Sequence, residues 1–255
     1  VTDADTSDTA AFKTAPAEIV LKSTEATSQL GTLTINASGA WSYSVDNTLG
    51  AIQALDTGES IVEVFTVSTT DGLDTQDITI TINGKDDASQ ITVTGSNDQG
   101  SVTEDDSVAS DAITTSGTIS VTDADTSDTA AFKTAPADIV LKSTEATSQL
   151  GTLTIDSAGA WSYSVANDNA AVQALDTGET IVEVFTVTTT DEGDTQDITI
   201  TINGAADASL ISVTGSGESA IGGVTEETGV DGNNKISTSG TISVTDADTS
   251  DTAAF

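Results

Sequence analysis

The chain has no cysteine, no methionine and no histidine, only 2 prolines, and aromatic residues make up 4 % of it. Without cysteine no disulfide can staple the fold. Stability has to come from core packing and from any hard cation that carboxylates can bind. Positive charge is scarce too: 6 Lys and Arg stand against 41 Asp and Glu, a formal net charge of −35. Nucleic acid and anionic membrane surfaces are excluded as partners, because both would be repelled. Carboxylates in a compact domain also repel one another, and divalent cations are the simplest remedy. No apolar run reaches the length of a transmembrane helix, so membrane insertion is not expected. Val1 starts inside a repeat with no signal peptide, which places any targeting information outside this stretch.

What the chain does have is repetition. VTDADTSDTAAF occupies residues 1–12 and recurs at 121–132 and 244–255, at spacings of 120 and 123 residues. Residues 1–84 and 121–204 differ at 13 positions. A period this long is one domain per repeat rather than a solenoid turn. Near-identical domains in series multiply a mechanical or adhesive property.

Within a repeat the apolar residues alternate with period two. Thr152-Leu153-Thr154-Ile155, a turn at Asp156-Ser157-Ala158-Gly159, and Trp161-Ser162-Tyr163-Ser164-Val165 make a β-hairpin with its aromatics on one face. A second hairpin runs from Ile181 to Thr189 and returns over Ile198 to Ile202, with Thr on outward positions. Shorter strands are expected at 91–94, 117–122 and 138–141, and a helical turn at 170–175 and 51–55. About seven short strands in 120 residues predict an all-β fold: tandem immunoglobulin-like antiparallel β-sandwich repeats in a linear array. A parallel sheet, which would need crossover helices, is not expected. The stretches 89–116 and 209–239 differ between copies and read as surface loops near a domain entry. The expected domains are an incomplete repeat at 1–87 that lacks its first strands, a complete repeat at 88–207, and the N-terminal strands of a third at 208–255.

The clustered acids carry the chemistry. Asp123, Asp125 and Asp128 follow a strand at i, i+2 and i+5, so that Asp123 and Asp125 point the same way at a turn. Calcium takes six to eight oxygens from carboxylates, carbonyls and water, and such a turn offers them. The same positions in the other copies are Asp3, Asp5 and Asp8, and Asp246, Asp248 and Asp251. Glu104 and Asp105, with Asp106, and Glu226 with Glu227, lie upstream. The linker residues Asp86, Asp87 and Asp207 are placed to complete sites across a boundary. Asp71, Asp74 and Asp77, and Asp191, Asp194 and Asp197, form a second acidic hairpin loop. Calcium is therefore the expected cofactor, against the simpler reading that Asp favours turns and keeps a repetitive β-protein soluble. EF-hand spacing and the glycine-rich nonapeptide of the β-roll are both absent.

Trp41, Tyr43, Trp161 and Tyr163 invite a sugar-stacking reading. At i and i+2 of one strand, however, they share a face that must be the core if it is to be filled. An enzyme is not expected, because repeated turn carboxylates without His, Cys or a cleft signature provide no pair of unequal pKa values.

The runs LGTLTINASGAWSYSVDN, AIQALDTGESIVEVFTVSTTDG and DITITINGKDDA, with GSVTED and SGTISVTDADTSD, resemble the VCBS repeat family over essentially the whole chain. The acidic loop also resembles the DAD element of cadherin-like domains, in which Ca²⁺ stiffens the junction. The family's NGTNDAP-type linker lacks its proline here, and the second junction has Ala206 before Asp207. The resemblance implies an extender or adhesive repeat of a large repeats-in-toxin-type adhesin. It also implies a bacterial extracellular or cell-surface location and export by a type I route. Expected partners are neighbouring repeats, head to tail, with self-assembly into fibres. The alternative is a glycan- or protein-binding module that acts through avidity. Residues 211–245 repeat the piece that 1–87 lacks, so the tail of one copy is expected to complete the head of the next, either within one longer continuous chain or by head-to-tail polymerisation of separate copies.

Overall fold

The computed structural model describes residues 10–213 and 217–248. They form sixteen strands: β1 Val20–Thr24, β2 Thr32–Ile35, β3 Trp41–Ser44, β4 Ser60–Ser68, β5 Thr75–Asn83, β6 Gln90–Thr92, β7 Gln99–Thr103 and β8 Ala112–Thr118. There follow β9 Ser120–Thr122, β10 Val140–Thr144, β11 Thr152–Ile155, β12 Ala160–Ala166, β13 Thr180–Thr188, β14 Thr195–Asn203, β15 Leu210–Ser212 and β16 Ser243–Thr245. One helical turn, α1 Gly50–Gln53, matches the expectation at 51–55. Its counterpart at 170–175 forms turns only, where the Asn169 side chain accepts the Ala171 N–H at 2.9 Å. The chain divides into two compact units, residues 1–90 with 121–131 and 189–194, and residues 91–120 with 132–188 and 195–255. The fold is all-β, of the immunoglobulin-like sandwich type.

In the second unit one sheet has the order β10-β13-β14-β7 and the other β11-β12-β8. Alternation decides which side chains enter between them: Leu153, Ile155, Trp161, Tyr163, Val165, Phe185, Val187, Ile198, Ile200 and Ile202 are buried. Two expectations need correction. The stretch 89–116 is not simply an entry loop, since it supplies β7 and most of β8. The sandwich is also not wholly antiparallel, because β7 runs parallel to β14, with Ile202 opposite Val102. No crossover helix is needed, because the chain between β7 and β14 passes through the opposite sheet.

The first unit has the orders β1-β4-β5 and β2-β3. Its core is Leu33, Ile35, Phe65 and Val67, with Phe12, Ile19, Leu21, Tyr43, Ile78 and Ile80 packed against it. Here the aromatic expectation holds for one tryptophan and fails for the other. Trp161 is 2 % exposed, whereas Trp41 is 50 % exposed. In the second unit β8 pairs with β12, setting Gly117 opposite Trp161, and the indole Nε1 donates to the Asn97 carbonyl at 2.8 Å. Among the described residues strand β3 has no such neighbour in its sheet.

Each unit also buries one glutamate on an otherwise apolar strand face. Glu183 lies between Ile181 and Phe185 in the inward register of β13. It accepts the N–H groups of Leu150 and Gly151 at 2.8 and 3.2 Å and the Tyr163 hydroxyl at 2.6 Å. Glu63 does the same with Leu30, Gly31 and Tyr43. Three donors offset the desolvation of a carboxylate that would otherwise be excluded from the core. Position 151 must be glycine, since a Cβ there would lie 2.2 Å from the Tyr163 ring.

Candidate metal centre

The DADTSD loop leaves β9 and folds on its own carboxylates. Asp125 N–H donates to Asp123 Oδ1 at 3.0 Å, and Asp128 N–H to the Asp125 carbonyl at 3.3 Å. The linker then closes over it: Asp87 N–H donates to Asp125 Oδ2 at 2.6 Å, and Ser89 Oγ to Asp123 Oδ2 at 2.8 Å. The turn after α1 comes up from the other side. Thr126 N–H donates to the Ala54 carbonyl at 3.4 Å, and Ser127 Oγ to Asp56 Oδ2 at 3.2 Å. Asp86 is oriented by its N–H, which donates to Thr57 Oγ1 at 2.9 Å.

The result is a cluster of Asp56, Asp86, Asp125 and Asp128, each with one carboxylate oxygen within 4.8 Å of the others. Oxygens about 2.4 Å from a calcium ion lie at most about 4.8 Å apart across it, so the spacing fits this cation. A second observation is independent of the clustering. Asp125 is 2 % exposed, and its Oδ1 has no hydrogen-bond donor. A buried carboxylate oxygen without a donor is costly unless a cation covers it. Burial, and then the charges of Asp56, Asp86, Asp123 and Asp125, push the Asp128 carboxyl above its ordinary range. The residues fit a hard divalent cation, held by Asp56, Asp86, Asp125 and Asp128. When bound, it would neutralise the carboxylates and bridge the α1 turn, the linker and the loop.

The second unit repeats this wiring. Asp207 N–H donates to Asp248 Oδ2 at 2.7 Å, Ser209 Oγ to Asp246 Oδ2 at 2.5 Å, and Asp248 N–H to Asp246 Oδ1 at 3.2 Å. Here a glutamate joins in. Buried Glu104 accepts the Ala205 N–H at 2.6 Å through Oε1, while Glu104 Oε2 and Asp248 Oδ1 have no donor. Burial, then Asp207, Asp248 and Asp105, raise the Glu104 pKa. Burial, then Asp248, Asp105 and Asp246, raise that of Asp207. Asp105 turns back through positive φ and accepts from Asn167 Nδ2 at 2.7 Å.

Among the sequence candidates, Asp86, Asp125 and Asp128 thus converge in one unit, and Glu104, Asp207 and Asp248 come together in the other. Asp123 and Asp246 brace the loops, and Asp87 contributes its N–H. Asp3, Asp5, Asp8 and Asp251 lie outside the described residues. Sequence reading missed Asp56, although Asp56-Thr57-Gly58-Glu59 recurs unchanged at Asp176-Thr177-Gly178-Glu179. The hairpin-loop acids are already engaged. Asp71 accepts from Thr69 Oγ1 and Leu73 N–H. Asp191 accepts from Ser89 and Gly193 N–H groups, and despite the opposing effect of burial its hydrogen bonds bring its pKa down to about 2. Asp77 and Asp197 pair with Lys22 and Lys142.

Fold and site together define an immunoglobulin-type β-sandwich repeat with acidic clusters at its entry and linker. Residues 89–204 match the family model of the bacterial cadherin-like domain, which supports a cadherin-like repeat. No curated protein sequence matches the chain. Solved structures similar to it include the protocadherin GammaB4 extracellular domain, 11 % identical, covering 80 % of this chain and 30 % of that one, with a TM-score of 0.40. Drosophila N-cadherin EC1-3 is 12 % identical, covering 83 % and 59 %, with a TM-score of 0.28. The expectation that this is not an enzyme is corrected by an endo-fucoidan hydrolase from glycoside hydrolase family 107. It is 20 % identical, covers 74 % of this chain and 24 % of that one, and has a TM-score of 0.26. At that TM-score no activity carries over. The chain spans only about a quarter to three-fifths of the length of these three solved chains. Among the described residues no helix is long and apolar enough to cross a membrane.

Proposed function

We propose that the chain is a run of cadherin-like extender repeats, bounded at 1–87, 88–207 and 208–255, from a bacterial surface or secreted adhesin of repeats-in-toxin type. Calcium at the acidic junctions stiffens the array and holds successive repeats in line, head to tail, outside the cell. The observation that carries this reading is Asp125, buried with an unpartnered oxygen among Asp56, Asp86 and Asp128. Near-identical tandem copies support an extender, because the length of a spacer scales with the number of repeats.

Calcium that binds only the folded state adds RT ln(1 + [L]/Kd), about 2.7 kcal/mol at a hundredfold excess over Kd. Thermal melts with calcium and with chelator, in moderate salt, test it. Calcium should raise the melting temperature, and Asp125→Asn should remove the part of the gain that the first unit's cluster supplies. Identical melts in calcium, magnesium and chelator would sink the proposal.

A further inference from the structure

The second unit completes its larger sheet with a strand pair whose direction matters for a chain under tension. Strand β7 is the edge strand of the order β10-β13-β14-β7 and meets that sheet only through β14. The two run parallel, with Gln99 opposite Thr199 at one end and Thr103 opposite Asn203 at the other. The chain enters β7 at the Gln99 end and leaves β14 at the Asn203 end. Entry and exit therefore lie at opposite ends of one ladder. Pulling them apart slides β7 along β14, so the bonds of the ladder, evenly spaced in a parallel pair, are strained together. In an antiparallel pair entry and exit would share an end, and the bonds would open one at a time.

Further bonds fasten both ends of the pair. At the entry, Thr199 N–H donates to the Asp98 carbonyl at 2.9 Å and Gln196 Nε2 to Asp98 Oδ2 at 3.1 Å. At the exit, Glu104 N–H donates to the Asn203 carbonyl at 3.0 Å, and Asn203 Nδ2 donates to Ser101 Oγ and to the Val102 carbonyl, both at 2.8 Å. Ala205 N–H then reaches back to Glu104 Oε1 at 2.6 Å. Packing opposes sliding as well. Val102 is 5 % exposed and Glu104 1 %, and a Cβ at Gly100 would lie 2.9 Å from both Ile200 and Trp161. Tension on the entry would turn Val102 and Glu104 outward after a slip of one residue, and after two would force Val102 into the place that only glycine fits. We infer that β7 and β14 form a shear latch that bears tension along the chain, fastened by the side chains of Asn203 and Glu104. Glu104 also links the latch to the second unit's acidic cluster, because Glu104 Oε2 and Asp248 Oδ1 are buried without a donor. A divalent cation on these oxygens and Asp207 would tie the end of β7 to the chain that follows β14, and so resist sliding further. This last step rests on the calcium reading; the latch itself does not.

The chain has no cysteine, so an introduced pair sets the direction of pulling in single-molecule stretching of the 255-residue chain. Ser96→Cys with Ala206→Cys loads the latch in shear, whereas Ser107→Cys with Ala206→Cys pulls from one end and peels β7 from β14. All three positions are exposed. Forced unfolding follows the unfolding barrier, so with chelator present and at one loading rate the shear pair should need roughly twofold more force, or greater. Equal forces in the two directions overturn the latch. Asn203→Ala should lower the shear force more than Tyr163→Phe, which removes a buried hydrogen bond of the same unit away from β7. An equal loss in these two variants overturns the assignment of the load to this strand pair. Calcium should raise the shear force, and Glu104→Gln should reduce that rise. An equal rise in Glu104→Gln overturns the coupling, and titration calorimetry then locates the failure. If Glu104→Gln binds as many calcium ions as its parent, the second unit's metal site has failed; if it binds one fewer, the link from that site to the latch has failed.

Discussion

The two tryptophans offer a test in which sequence is held nearly constant and only environment changes. Both occur in WSYSV, on strands with the same register to their hairpin partners, Ile35 to Trp41 and Ile155 to Trp161. Trp161→Ala removes a side chain that is 2 % exposed, wedged against Gly100 and Gly117, and donating to the Asn97 carbonyl. Truncation of a buried aromatic costs about 3 to 5 kcal/mol through lost transfer energy and the cavity left behind. Trp41→Ala removes a side chain half of which already meets water, so the cost should be about 1 to 2 kcal/mol. Fluorescence is the wrong readout, because each variant keeps only the tryptophan of the other unit. Amide exchange by mass spectrometry reports each unit separately. Trp161→Ala should speed the slowest amides of Ile198–Ile202 by roughly a hundredfold to several thousandfold. Trp41→Ala should speed those of Ile78–Ile82 by roughly tenfold. Equal effects, or less than tenfold for Trp161→Ala, would refute the view that β7 and β8 make this residue part of the core.

The remaining expectations concern the buried glutamates and the surface pairs. Burial, and then the hydrogen bond and charge of Glu183, push the Tyr163 hydroxyl well above the ordinary tyrosine range, and burial followed by Glu63 does the same to Tyr43. The folded state therefore resists ionisation; stability is fully present below about pH 10 and falls as pH rises beyond it, by about 1.4 kcal/mol per unit for each tyrosine. Tyr163→Phe should cost about 1.5 to 3 kcal/mol at neutral pH and flatten that alkaline slope in the second unit, as measured by exchange or urea melts. Gly151→Ala should destabilise by about 1 to 3 kcal/mol, because its methyl group would displace the Tyr163 ring from Glu183, and urea melts should show it. Lys142→Met should change stability by less than about 1 kcal/mol in the same assay, since its partner Asp197 is exposed.

Much of the fold is legible in sequence because its determinants are local. Period-two alternation and turn residues such as Gly159 at φ +96° specify both hairpins, and the recurrence of VTDADTSDTAAF reveals the repeat. Asp86, Asp125 and Asp128 could likewise be named as candidates, because acids clustered at turns mark oxygen-rich loops. Other features required the tertiary structure. Asp56 joins those residues only because the turn after α1 packs against the loop. Glu183 is buried only because the backbone at Leu150 and Gly151 and the Tyr163 hydroxyl meet it. Strands β7 and β8 carry small and polar residues, so their alternation is faint until β14 and β12 supply pairing partners. The segment WSYSV determines which face its tryptophan points to. Whether that face is core or surface depends on a strand contributed from a distant part of the chain, because burial is a property of what lies opposite a side chain and not of the residues beside it.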